Sequence, residues 1–156
     1  MKLHYSTLDV FTQKRFGGNP LAIVQGGDGL DSILMQKIAR EFNLSETIFV
    51  LKPENPDNHA RVRIFTPANE LPFAGHPTVG AGCLLAVQRF KPGCSFETDI
   101  RLETRAGLVP VRVTRIGELP RAVVTAPRIA EVVTVEIATS KFAAALGVLE
   151  SDIDFD

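Results

Sequence analysis

The sequence predicts an α+β fold in which a sheet encloses one central helix. Several short segments alternate apolar and polar residues, as half-buried strands do, and they lie on both sides of one segment that does not alternate. In that segment every residue from Val79 to Val87 is apolar or glycine. Because a helix that is apolar all round is buried all round, we expect a central helix over 76–90 with strands packed around it.

The first half of the chain divides into strands and one helix. Strand signals cover residues 3–11, 21–24, 46–51 and 59–65. The segment 46–51 carries apolar residues on both faces, which predicts a strand covered on both faces. Asp31 can cap a helix in which apolar side chains recur at helical spacing, namely Leu34, Met35, Ile38 and Phe42.

The central helix begins in the turn Gly75-His76-Pro77-Thr78. Proline at a first helical position loses no hydrogen bond that the helix needs, so His76-Pro77 predicts the helix start. Gly80 and Gly82 each lower helix propensity by about 1 kcal/mol. They also let another backbone approach closely, which suits a helix held tightly inside a sheet.

Three more strands and a short helix follow the central helix. The strands are predicted over 96–103, around 109–113 and over 121–126. Pro110 cannot donate a ladder hydrogen bond, so its strand is predicted at a sheet edge or beside a bulge. Pro127 begins a predicted linker, and a helix over 140–146 is expected to end at Gly147.

Composition excludes several classes of function. The chain has 156 residues, 45% of them apolar, and its net charge of −1 leaves no basic excess for nucleic acid. Its two cysteines have neither disulfide-framework nor zinc-site spacing. The start lacks a signal-peptide core, and the apolar stretch 79–87 is shorter than the roughly 18 residues of a membrane helix. We expect a cytoplasmic protein that binds neither nucleic acid nor membrane.

The start of the central helix is one candidate site. A helix N-terminus presents free N–H groups and a partial positive charge, which suits a carboxylate or phosphate. Gly75 would let a ligand approach the backbone, and His76 could donate a hydrogen bond or relay a proton. The alternative interpretation is a plain helix cap with His76 hydrogen-bonded locally.

Glu46 is the second candidate, between a predicted helix and a buried strand. A carboxylate at the mouth of an apolar strand loses hydration, which suits it to general acid/base chemistry near neutrality. The alternative is a solvated loop glutamate. Ser45 could contact a ligand or only satisfy the turn, and Asn19 fits an ordinary turn residue.

Other polar residues point to structural roles. Glu70 is expected to pair with Arg61 or Arg63, and Cys83 inside the apolar helix is expected to pack in the core. The histidines show no metal-ligand spacing, so no metal site is expected; they are His4, His59 and His76.

Six motifs, met in order over residues 8 to 80, resemble the PhzF-like phenazine biosynthesis proteins and, within them, the PhzF-type isomerases. The resemblance weakens after about residue 92. The motifs are Asp9-Val10-Phe11-Thr12, Gly18-Asn19-Pro20-Leu21-Ala22, Met35-Gln36-Lys37-Ile38-Ala39-Arg40-Glu41, Asn43-Leu44-Ser45-Glu46-Thr47, Arg63-Ile64-Phe65-Thr66-Pro67 and Asn69-Glu70-Leu71-Pro72-Phe73-Ala74-Gly75-His76-Pro77-Thr78.

The resemblance implies a diaminopimelate epimerase-like fold. In that fold each of two lobes wraps a curved mixed sheet around a central apolar helix, and the active site lies between the lobes. The N-terminal lobe would occupy residues 1–126, and residues 127–156 would form a linker and the start of the second lobe. Because proteins of this family are about twice as long, the resemblance implies that the second lobe is truncated in this chain.

The resemblance also implies a chemistry. Glu46 would be the acid/base that isomerises trans-2,3-dihydro-3-hydroxyanthranilate without a metal or organic cofactor. Gly75, His76 and Pro77 match helix-terminal site residues of the family, and Ser45 and Asn19 would lie beside the pocket. Related racemases carry a cysteine at each helix start, whereas Gly75-His76 stands there in this chain. A small carboxylic acid substrate and a homodimer are expected.

Two other interpretations stay open. The protein could be a PhzF-like isomerase or epimerase that acts on another small acid. It could also be a non-catalytic lobe that binds a partner or dimerises through an uncovered apolar face.

Overall fold

One mixed sheet of eight strands forms the frame of the structure, a computed structural model that describes residues 2–128 and 137–153. The strands follow the order β1-β2-β3-β4-β6-β7-β8, and β5 pairs with β4. The pairs β2–β3 and β4–β6 are parallel, and the others are antiparallel. The strands are β1 His4–Val10, β2 Asn19–Gln25, β3 Glu46–Leu51, β4 Ala60–Phe65, β5 Glu70–Leu71, β6 Phe96–Thr104, β7 Gly107–Arg115 and β8 Pro120–Val124.

The helix α2, Gly75–Arg89, lies on the concave face of this sheet. It contacts six strands that include both ends of the sheet order, so the sheet curls around it: β1, β2, β3, β6, β7 and β8. The predicted α+β fold with a mixed sheet around a central helix is therefore confirmed. No helix within the described ranges is both long and apolar enough to cross a membrane.

The strands β2 and β3 are apolar on both faces because each face meets a helix, whereas β4 carries Arg61 and Arg63 on its convex face before Phe65. On the concave face, Ile23 and Ile48 join the core around α2. On the convex face, Phe49 and Phe65 pack edge to face at 5.5 Å and cover Met35 of the helix α1, Ser32–Phe42. The predicted cover on both faces of the strand 46–51 is confirmed.

The ends of α1 follow directly from its sequence. The Leu34 N–H donates to the Asp31 carboxylate at 2.7 Å, which makes Asp31 the N-cap. The helix ends at Asn43, whose φ of 51° lies in the left-handed region that asparagine tolerates better than most residues. The predicted cap and the predicted helical spacing are both confirmed.

The helix α2 begins and ends one residue earlier than the predicted 76–90. Ala74 is the N-cap, so Pro77 occupies the third helical position. Proline is still tolerated there because the first four helical N–H groups have no partner within the helix. A Cβ added at Gly80 would lie 2.5 Å from Leu21, and one at Gly82 would lie 2.6 Å from Val111. The two glycines thus permit a close approach to the helix, but by side chains of the sheet and not by the predicted backbone.

Burial of α2 is less complete than predicted. Val79 and Cys83 are only half-buried because the sheet does not close between its two outer strands, β1 and β8. A groove with a cavity volume of about 950 Å³ runs along this opening. Both side chains line it, so one face of the helix lacks a covering strand among the described residues.

The strand β7 corrects the prediction made from Pro110. It lies between β6 and β8, so it is not an edge strand. The last β8 pair is Val111 with Val124, and beyond it the Thr125 N–H donates to the Pro110 carbonyl at 3.3 Å. In a strand the nitrogen and carbonyl of one residue point to the same side. The nitrogen of Pro110, which carries no hydrogen, therefore lies beyond the last residue pair of the β7–β8 ladder, where the ladder needs no N–H donor.

The C-terminal segment contains α3, Thr139–Leu146, which ends at Gly147 with a φ of 71°. The predicted helix and its glycine cap are confirmed. Most of the predicted linker, residues 129–136, lies outside the described residues, as do 154–156. The division of the chain at residue 126 stays a prediction.

Candidate active site

Three elements begin at the same end of the sheet and bring the main candidate residues together. Asn19 opens β2 and Glu46 opens β3, and these parallel strands pair Leu21 with Glu46. The helix α2 begins beside them, so that His76 Nδ1 lies 3.4 Å from Glu46 Oε2. Residues 30 apart in sequence thus meet because two strands and one helix start at one edge.

Glu46 is partly withdrawn from solvent, with its side chain 19% exposed. Its Oε2 atom is buried and has no hydrogen-bond partner among the described residues. Buried polar atoms in native proteins are normally paired, and an unpaired one loses hydration without compensation. This oxygen is therefore available to a ligand or to a transferred proton.

His76 is more deeply buried, at 7% exposure, and its Nε2 atom also has no hydrogen-bond partner within the described ranges. Burial lowers the pKa of His76, although the Glu46 charge and the backbone of Pro20 act in the opposite direction. A lowered pKa favours the uncharged form of the imidazole. The contact between His76 and Glu46 is an ion pair only when the ring is protonated.

The first turn of α2 is open to solvent at Gly75. No side chain caps this helix end, and the Thr78 hydroxyl donates to the Ala74 carbonyl at 2.7 Å. A Cβ added at Gly75 would meet no atom within 4 Å, whereas the next residues, His76 and Pro77, are buried. The free N–H groups of this turn can receive an anion, and the glycine leaves room for it.

Ser45 and Asn19 also meet at this end. The Ser45 hydroxyl donates to Asn19 Oδ1 at 2.9 Å. Ser45 is exposed and Asn19 is half-buried, so both can be reached from solvent. The candidates thus form two contacts, Glu46 with His76 and Ser45 with Asn19, joined through the neighbouring positions 45 and 46.

The backbone of Pro20 is the site group that sequence reasoning missed. It interacts with His76 and raises the histidine pKa against the larger effect of burial. Proline offers only its carbonyl for such a contact. A backbone carbonyl has no residue-specific signal, so only its position next to Asn19 could have pointed to it.

Metal ligands do not gather at this site. Within residues 2–128 and 137–153, no group of three or more histidine, cysteine, aspartate or glutamate side chains is placed to hold a metal ion. Cys83 lies in the middle of α2, and burial raises the pKa of its thiol to about 11. A thiol of that pKa is a weak acid/base near neutrality.

Glu70 belongs to a separate structural network. Arg63 donates to both of its carboxylate oxygens at 2.7 Å, and Arg105 donates to one of them at 2.9 Å. The expected pairing of Glu70 with Arg63 is confirmed, and Arg61 pairs with Glu54 instead. The hydrogen bond from Arg63 is the main reason that the pKa of Glu70 is lowered.

We expect Glu70→Gln to destabilise the fold by about 2 kcal/mol at neutral pH, because it breaks a charge-assisted bidentate pair. A carboxyl whose folded pKa is lowered stabilises the fold above its unfolded value, 4.5 for Glu70, and loses that contribution as pH falls through the folded value. The difference between wild type and variant should therefore shrink below that pH. Denaturant unfolding across a pH series measures it.

Glu54→Gln is the matched control, because the Glu54 side chain is 74% exposed in its pair with Arg61. We expect it to change stability by less than about 0.5 kcal/mol at any pH. A Glu70→Gln effect that did not depend on pH would contradict the assignment of the lowered pKa to this carboxyl.

Comparison with known proteins identifies the chain's relatives. A family model described as phenazine biosynthesis-like protein (PhzC-PhzF) matches residues 8–151. An uncharacterized isomerase of Mesorhizobium japonicum is 44% identical over 153 residues, 98% of this chain and 50% of the relative. The trans-2,3-dihydro-3-hydroxyanthranilate isomerase of Pseudomonas aeruginosa is 45% identical over 111 residues, 71% of this chain and 37% of the relative. The chain spans half or less of the length of these relatives.

Solved structures show the same fold. A predicted epimerase from Pseudomonas aeruginosa matches with a TM-score of 0.67 at 38% identity, over 76% of this chain and 40% of that chain. A PhzF family protein from Bacillus anthracis matches with 0.61 at 36% identity, over 72% and 36%. A hydroxyproline epimerase from Agrobacterium vitis, at 0.55 and 19% identity over 75% and 39%, shares the fold alone. The expected epimerase-like fold is confirmed.

Proposed function

The chain belongs to the phenazine biosynthesis-like (PhzC-PhzF) protein family, and from this premise we propose that the protein carrying it is an isomerase in which Glu46 is the acid/base. One observation carries the proposal. The Glu46 carboxylate is largely buried beside His76, and its Oε2 atom has no hydrogen-bond partner among the described residues. A carboxylate held in this way can take a proton from a bound substrate and return it.

The reaction needs only a proton transfer within one substrate. Glu46 takes a proton from a carbon atom, and the electron pair of that C–H bond moves into the adjacent conjugated system. The protonated Glu46 then returns a proton to a carbon at the other end of that system. Negative charge that develops on the substrate is stabilised by the positive end of α2 at Gly75. No electrons leave the substrate, so the reaction requires no redox partner.

We propose trans-2,3-dihydro-3-hydroxyanthranilate as the substrate. The support is the 45% identity, over 111 residues of this chain, to an isomerase named for that compound. Another small carboxylic acid is the second candidate, since the relative that matches 98% of this chain is named an isomerase without a substrate. In either case the open helix start at Gly75 would receive the carboxylate.

Further properties of the protein are proposals on the same basis. We propose that Ser45, Asn19, Gly75, His76 and Pro77 line the substrate site and that the protein acts in the cytoplasm without a metal or organic cofactor. We also propose a homodimer. The half-buried apolar face of α2 along the β1–β8 groove supports a contact surface of this kind.

The test is an assay of the full-length protein that contains this chain, after treatment with a chelator and gel filtration. We expect conversion of trans-2,3-dihydro-3-hydroxyanthranilate without added metal or cofactor. Activity that appears only when a metal is added back would contradict cofactor independence. Conversion of a different acid from a panel of small carboxylic acids would favour the second candidate, and sedimentation of the same sample measures the oligomeric state.

A further inference from the structure

We propose that His59 is a pH-sensitive switch at the junction between the two halves of the curled sheet, β1–β5 and β6–β8. With a neutral ring, its side chain accepts a hydrogen bond that joins the start of β4 to β6, and uptake of a proton releases that bond. The inference does not depend on the proposed reaction. Because β4 runs antiparallel to β3, its start lies at the opposite edge of the sheet from Glu46.

The two halves of the sheet meet through β4 and β6 over a short ladder. These parallel strands share two register pairs, whereas every other neighbouring pair along β1-β2-β3-β4-β6-β7-β8 shares at least five. One end of this β4–β6 junction has a further link, in which the Ala106 N–H donates to the Pro72 carbonyl at 3.2 Å. Because the ladder itself is short, contacts at its ends contribute a large share of what holds the halves together.

His59 closes the other end of the junction with two hydrogen bonds to the backbone of one residue. Its own N–H donates to the Arg101 carbonyl at 3.0 Å, and the Arg101 N–H donates to His59 Nδ1 at 3.1 Å. A ring nitrogen accepts a hydrogen bond only when it carries no proton. The second bond therefore requires a neutral ring with its hydrogen on Nε2. A protonated ring would direct an N–H at the Arg101 N–H, and this bond would be lost.

The charges that act on the His59 ring oppose its protonation. Burial lowers the pKa of His59 most, and the positive charges of Arg89 at the end of α2 and Arg101 on β6 lower it further. The acidic groups on β6 and on the loop before β4 have other partners or are exposed. Glu103 binds the N–H groups of residues 54 and 55, Asp99 pairs with Arg112, Glu54 pairs with Arg61, and Asp57 is exposed.

The lowered pKa gives the direction of the pH effect. The ordinary value for His59 is 6.5, and the contribution of its neutral form to stability is fully present above that pH. As pH falls from 6.5 through the lower folded value, the unfolded chain binds the proton more readily than the folded one, and the contribution is lost. The ring is half-buried, so solvent protons can reach it. The junction is therefore closed at neutral pH and loosens in mildly acidic solution.

The experiment measures amide hydrogen exchange of the ¹⁵N-labelled full-length protein by NMR at about pH 7 and about pH 5, the range in which histidine titrates. The protection factor corrects each rate for the intrinsic effect of pH. We expect protection of the Arg101 N–H to fall about fivefold or more at the lower pH, as the loss of one hydrogen bond predicts. The Val111 N–H is the internal reference, because β7 has a neighbouring strand on both sides and its protection should change less.

Three variants separate His59 from other groups that titrate. His59→Asn keeps an acceptor oxygen at the δ position and does not titrate, so Arg101 should stay protected at both pH values. His59→Leu has no acceptor, so protection should be low at both. His4→Asn is the matched control, because His4 is exposed on β1, and it should behave like wild type.

Three results would overturn the switch. The first is equal protection of the wild-type Arg101 N–H at the two pH values. The second is a pH-dependent loss that persists in His59→Asn, which would assign it to another group such as His76. The third is full protection in folded His59→Leu at about pH 7, which would show that Nδ1 does not hold the bond. The asparagine variant decides the question even where the leucine variant fails to fold.

Discussion

Replacement of Glu46 by glutamine is expected to lower kcat of the full-length protein by about a thousandfold. Glutamine keeps the shape and hydrogen-bonding reach of the side chain but cannot take up and return a proton. General acid/base groups contribute about 10²–10⁴-fold to rate, and here one carboxylate would act in both steps. Because the buried Oε2 atom has no hydrogen-bond partner among the described residues, loss of its charge should leave the fold intact. Steady-state turnover and thermal unfolding measure the two quantities.

Two further variants show whether this loss is specific to the Glu46 carboxylate. Glu46→Asp retains the carboxylate on a side chain that is one methylene shorter, so we expect an intermediate decrease in kcat of about a hundredfold. Glu41→Gln makes the same chemical change on an exposed position of α1 and should leave turnover unchanged. Equal kcat in wild type and Glu46→Gln would show that Glu46 is not the acid/base.

Gly82→Val is expected to destabilise the fold by about 3 kcal/mol. A Cβ at this position would lie 2.6 Å from Val111 Cγ1 and 3.1 Å from Val111 Cβ. Val111 is fully buried on β7 and its side chain is stiff at χ1, so it cannot move aside freely. Overpacking of a core costs about 1–3 kcal/mol, and valine adds β-branched crowding within the helix. Such a loss is a large part of the 5–15 kcal/mol that stabilises a typical domain.

Gly75→Val is the matched control on the same helix. An added Cβ at Gly75 meets no atom within 4 Å, so we expect a change below about 0.5 kcal/mol. Combining Gly82→Val with Val111→Ala should recover part of the lost stability, because the smaller side chain opens the space that valine needs. Denaturant unfolding of the single and double variants gives the coupling between the two positions. If the free energies lost in the two single variants simply added up in the double variant, Val111 would not be the source of the strain.

Much of the secondary structure could be predicted from local pattern. Successive side chains on a strand face opposite sides. For this reason the alternation in 96–103 predicted β6, and the apolar residues on both faces of 46–51 predicted β3. The Asp31 cap of α1 depends on neighbouring residues alone, and it too was predicted. The edge position predicted from Pro110 was wrong because the sequence of one strand does not show where the neighbouring strand ends. The ladder between β7 and β8 ends at Val111, one residue before the proline.

The candidate site could be predicted less completely. Residue chemistry singled out Glu46 and His76 one at a time, and the family resemblance placed both in one site. Their 3.4 Å contact depends on β3 and α2 starting at the same edge. The direction of the Ser45 hydroxyl toward Asn19 and the role of the Pro20 backbone also depend on that edge. No spacing of residue types along the chain encodes these contacts.

Two kinds of information therefore specify this protein. Local patterns in the chain determined which segments form strands and helices, where α1 and α3 end, and which residue types can carry acid/base chemistry, because each depends on near neighbours. Packing of the curled sheet around α2 decided which of those residues meet, which are buried, and that the sheet stays open between β1 and β8. Such contacts join residues far apart in sequence, and only the assembled strands bring them within reach.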